Sequence, residues 1–88
     1  MRHAGEGALG ELGAVLAALR RLSGITERKP GTFYRKSSAF VHFHEDAEGL
    51  FADLRLGGGW RRYRVTTTAE RKAFLSAAGA AAEGRTDD

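Results

Sequence analysis

Apolar residues return every three or four positions over the first quarter of the chain: Ala8, Leu9, Leu12, Val15, Leu16, Leu19 and Leu22. At about 100° per residue they fill an arc of roughly 140°, the width of one buried helix face. The pattern predicts a helix from Ala8, firmest over 14–23, with Gly24 placed to supply a left-handed cap. Gly10 and Gly13 weaken its first turns, by up to about 1 kcal/mol each. Residues 1–7 carry no such pattern and read as a mobile tail. Residues 25–31 read as a charged connector, closed by a Pro30-Gly31 turn.

Beyond that turn the period falls to two. Thr32 to Arg35 is a short strand candidate ending at Ser37-Ser38, run 39–44 is dense in β-branched and aromatic residues, and runs 50–56 and 60–66 alternate. The acidic loop 45–49 and the Gly57-Gly58-Gly59 run separate them, so they predict an antiparallel meander. Thr67 and Glu70 then form a capping-box pair that starts a second helix at Thr68. Phe74, Leu75, Ala78, Ala81 and Ala82 give that helix one apolar face, Gly79 and Gly84 limit it, and 84–88 should fray. The expected fold is α+β: a two-layer sandwich of helix, three or four antiparallel strands and helix, with both helices on one sheet face. The chain reads as a single domain over 1–88, with an ordered core of about 9–82.

Strand side chains alternate between faces, so parity divides the meander into two sets. Val41, Phe43, Leu50, Ala52, Leu54, Leu56, Tyr63 and Val65 are nearly free of charge and belong under the helices. The other set is Phe40, His42, His44, Phe51, Asp53, Arg55, Trp60, Arg62 and Arg64. One register sets Phe43 opposite Ala52 and Leu54 opposite Tyr63, which lines His42, Asp53 and Arg64 into a row. A two-residue shift in either hairpin keeps the faces and breaks the row.

Composition narrows the classes. Eighty-eight residues make one domain, and a chain this short buries only roughly 60% of its unfolded surface, so association would help it most. No cysteine means no disulfide framework and no thiolate metal site, which suits a reducing cytoplasm. No apolar run reaches the ~18 residues of a membrane span, and the N-terminal stretch is an amphipathic helix instead of a signal peptide. The expected location is cytoplasmic. Lys and Arg total 14 against 11 Asp and Glu, a net charge of +3, and 11 of those 14 are Arg. An excess of Arg, Ala and Gly accompanies GC-rich bacterial genomes such as actinobacterial ones, so codon supply accounts for part of it. The charge is only a modest pull toward anionic partners.

The second face therefore carries the functional expectation: a non-enzymatic binding or interaction module, meeting a protein partner or a second copy of itself. Large aromatics and Arg are what such contacts use. One alternative is a nucleic-acid-binding sheet, with aromatics for stacking and Arg for phosphates. The acidic loop and the absence of ribonucleoprotein motifs weigh against it. Another is a metal or acid–base site at His42, His44 and Asp53, because a His-x-His pair puts two imidazoles on one strand face. A plain solvated face with cross-strand ion pairs is the bland reading. No catalytic residue, metal ligand or cofactor is assigned. Ser37-Ser38 lacks a nucleophile elbow, and a strand instead of a helix follows the glycine run.

From Thr32-Phe33-Tyr34-Arg35-Lys36-Ser37-Ser38-Ala39-Phe40-Val41-His42-Phe43-His44 onward, the chain resembles the small bacterial YjbR-like α+β domains. The resemblance covers about residues 9–80 and lies in the order of elements: strand, basic turn, aromatic strand, acidic turn, further strands, helix. Those domains are typically longer, with one more strand and helix. It implies architecture only, and no functional residue is carried over.

Overall fold

A computed structural model describes residues 1–84. In chain order the elements are β1 (Arg2–His3), α1 (Glu6–Glu11), α2 (Gly13–Arg20), β2 (Ile25–Lys29), β3 (Thr32–Arg35), β4 (Ser38–Asp46), β5 (Gly49–Leu56), β6 (Gly59–Arg64) and α3 (Thr68–Ala82). The class is α+β, and every strand pairing is antiparallel. The meander runs β2-β3-β4-β5-β6, with β1 added against β4. Three or four strands were expected; the sheet has six.

The two extra strands explain the difference. Residues 25–29 are too charged to show alternation, yet Ile25 still packs on the core. Glu27, on the same parity, receives the Arg20 guanidinium at 2.6 Å and the Gly31 amide at 3.0 Å. A polar strand thus satisfies itself at the sheet edge. Residues 1–7, patternless in sequence, supply β1 and the first residues of α1. The Ala4 amide donates to the Phe43 carbonyl, and Glu45 accepts from Gly5 N and from Arg2. The frayed end expected over 84–88 lies, past Gly84, outside the described residues.

The single expected first helix is two helices broken at Leu12, whose backbone (φ −90°, ψ 15°) leaves the helical region between Gly10 and Gly13. Leu12 is nonetheless fully buried, so the break costs no core contact. The α3 start matches the sequence signal. Glu70 N donates to Thr67 Oγ1 at 3.1 Å, and Thr67 N donates to Glu70 Oε1 at 2.9 Å.

All four meander hairpins turn through two residues, at 30–31, 36–37, 47–48 and 57–58. Gly31 and Gly57 take positive φ in two of these turns, where a side chain would be strained. Leu12, Val15, Leu16 and Leu19 meet Phe33, Val41, Phe43, Ala52, Leu54 and Val65 of the sheet and Phe74, Ala78 and Ala81 of α3 in one buried cluster. The Phe74 ring stands edge-on to Phe43 and Tyr63, at 6.0 and 5.7 Å between centroids. The parity split of the core face is therefore sound at all but one position. Phe40, placed on the opposite face, is 3% exposed and belongs to the core cluster. Between the Phe33–Val41 and Tyr34–Ala39 pairs the register shifts by one residue, and Phe40 is the extra one. A bulge breaks alternation locally, so parity fails there.

Candidate functional site

The face that carries no helix-packed core is built in rows by the register. Thr32, His42, Asp53 and Arg62 oppose one another across β3, β4, β5 and β6. One row along, His3, His44, Phe51 and Arg64 oppose one another across β1, β4, β5 and β6. Arg55 opposes Trp60 beyond them. Of the two registers left open, the one that sets Asp53 against Arg64 is not formed, and Asp53 faces Arg62. Pairing Leu54 with Tyr63 would put the two-residue turn at Gly58-Gly59; it falls at Gly57-Gly58 instead, with Leu56 opposite Gly59. The strand slides by two, the faces survive, and the row keeps its chemistry with a different arginine.

Asp53 is the hub. Arg62 donates to it twice, Nε to Oδ1 at 2.7 Å and Nη2 to Oδ2 at 2.9 Å, in the bidentate geometry guanidinium and carboxylate favour. His44 Nε2 lies 3.1 Å from the same Oδ2. The hydrogen bonds from Arg62 hold the Asp53 carboxyl below its ordinary value, against partial burial that would raise it. His42, the directly opposed residue, does not make this contact: its Nε2 is shut off from solvent and has no hydrogen-bond partner among the described residues. Burial lowers the His42 pKa, the nearby His3 and His44 lower it further, and Asp53 pulls the other way.

The expected pair of histidines is a trio. The His3 ring stacks on His44 at 5.0 Å between centroids and lies 6.1 Å from His42, while His42 and His44 are 6.4 Å apart. Trp60 leans across to His42 at 5.1 Å. Together His3, His42, His44, Asp53 and Trp60 line a shallow recess of about 430 Å³. His3 lay in a segment without any pattern, so nothing in the sequence pointed to it. Among the described residues, no group of three or more His, Cys, Asp or Glu side chains is arranged to hold a metal ion. The carboxylate that a metal would need is already held by Arg62.

Around the recess, guanidinium groups cover aromatic rings. Arg55 lies over Trp60 at 5.1 Å, Arg64 over Phe51 at 5.4 Å, and Arg28 over Tyr34 at 4.4 Å. Tyr34 alternates with buried Phe33 and so joins this face, an addition the parity of β4–β6 could not supply. Arg64 is restrained by Glu70 at 3.6 Å and donates to the Glu48 carbonyl. Arg28 and Arg55 have no carboxylate partner among the described residues. Trp60 stays 44% exposed.

The nearby acidic loop is internally engaged. Glu45 is held by Arg2 and Gly5, and Asp46 accepts from the Glu48 amide at 2.8 Å. Ser37 and Ser38 sit at the β3–β4 turn and line no part of the recess. No helix among the described residues is long and apolar enough to cross a membrane. The chain matches no family model, no curated protein and no solved structure.

Proposed function

We propose that the helix-free sheet face is the binding surface of this domain and that its partner is single-stranded nucleic acid. The observation that carries this is the charge pattern of the face: among the described residues Asp53 pairs with Arg62 and Glu70 with Arg64, Arg28 and Arg55 meet no carboxylate, and Arg28, Arg55 and Arg64 lie on aromatic rings. Stacked guanidinium and aromatic planes accept bases, while the same guanidinium groups meet phosphates. The expected self-association is less well supported by this pattern. An isologous contact through this face would set arginine against arginine, with Asp53 and Glu70 of each copy already held by Arg62 and Arg64.

Trp60 is the chain's one tryptophan, so its fluorescence reports on this face alone. Titration with a short oligothymidylate at low salt should change the Trp60 signal, and the affinity should weaken as salt rises. No signal change and no binding at low salt would remove the nucleic-acid reading. A protein partner would then be the occupant to seek.

A further inference from the structure

Every histidine of the chain lies in one place. There are three, and His3, His42 and His44 bring their rings within 5.0–6.4 Å of one another beside Trp60. They come from different elements, β1 and β4, so their meeting is a product of the fold. Asp53 of β5 faces them, with Oδ2 at 3.1 Å from His44 Nε2, and it is shared with Arg62 of β6, which donates to both its oxygens. Lys29 of β2 adds a further positive charge acting on His42. Arg2 and Glu45, next along β1 and β4, neutralise each other at 3.3 Å. The cluster thus has capacity to gain positive charge and little local anion to absorb it.

We infer that this cluster makes the sheet face a proton-dependent binder, taking a polyanion more tightly as the solution is acidified. The inference rests on the nucleic-acid reading above. Histidine is the side chain that changes charge in the physiological range, and each imidazolium formed here adds a cation next to the exposed tryptophan. In the free domain these charges repel one another and Arg62. Bound phosphates supply the missing counter-charge, so the ligand and the protons favour each other's binding. Two of the three histidines sit on the strand at the centre of the sheet, which couples the protons to the face itself.

The test is fluorescence anisotropy of a labelled oligothymidylate, whose bases do not titrate in this range, at pH 7.5 and pH 5.5 and fixed ionic strength. Trp60 emission is avoided because a neighbouring imidazolium quenches it directly. The wild-type domain should bind about tenfold more tightly at the lower pH. Its salt dependence should steepen by about 0.7 for each additional phosphate neutralised. His3→Gln with His44→Gln should cut the pH effect, read as the ratio of the variant's own affinities at the two pH values, to less than about twofold. If that variant does not fold, the wild-type comparison still decides, because the chain has no other histidine. Equal wild-type affinity at both pH values overturns the proton dependence and leaves the binding reading standing. Absence of binding at both overturns the reading and the inference together.

Discussion

Asp53 and Arg62 face each other directly across β5 and β6 and are joined by two parallel hydrogen bonds of 2.7 and 2.9 Å. The pair sits half in water on the Arg62 side, so it contributes little to stability in spite of its geometry. Arg62→Ala should cost only about 0.2–1 kcal/mol in urea unfolding, the range of exposed ion pairs. A loss well above that would mean Asp53 is left uncompensated in a drier site than its exposure indicates.

Alternation assigns Phe40 and Phe51 to one sheet face, but they do not share an environment in the fold. Phe40→Ala removes a core ring and should cost about 3–5 kcal/mol. Phe51→Ala takes away a half-buried ring under Arg64 and should cost about 1 kcal/mol. Equal costs in chemical denaturation would contradict the bulge that turns Phe40 inward.

Those two residues also show what local sequence can and cannot carry. Alternation exposed the core face of β4, β5 and β6 because a strand's burial pattern is written at every second position. It could not foresee the one-residue bulge at Phe40, which depends on how β3 pairs with β4. The identity of the Asp53 partner depended on whether the two-residue turn falls at Gly57-Gly58 or at Gly58-Gly59. Nothing in a three-glycine run settles that. β1 and β2 were hidden for another reason: both lack hydrophobic alternation, and they are placed by backbone pairing with β4 and β3 and by the Arg2–Glu45 and Arg20–Glu27 ion pairs.

Gly49 opens β5 with φ +141°, and a Cβ there would run into the Thr66 hydroxyl. That hydroxyl accepts from the Leu50 amide at 3.0 Å, fixing the start of β5 against the approach to α3. Gly49→Ala should therefore cost more than about 1 kcal/mol through backbone strain and displacement of Thr66. A thermal midpoint unchanged from wild type would show that the turn relaxes freely.

His42 gives the free domain a specific pH dependence. Its folded pKa lies below the ordinary histidine value, chiefly through burial, so the unfolded chain takes up the proton more readily. Its stabilising contribution is complete above the ordinary value and is lost as pH falls from there through the depressed folded value. The wild-type melting temperature should therefore drop between pH 7.5 and pH 5.5, and His42→Gln should reduce that drop. An undiminished drop in His42→Gln would assign the effect to other groups.

The central claim is that a polyanion meets the Trp60 face, and amide chemical-shift mapping with oligothymidylate at low salt tests it most directly. The account predicts shifts concentrated on Arg28, Tyr34, His42, Arg55 and Trp60, with α2 and α3 undisturbed. Shifts centred on the helices, or none at all, would contradict it.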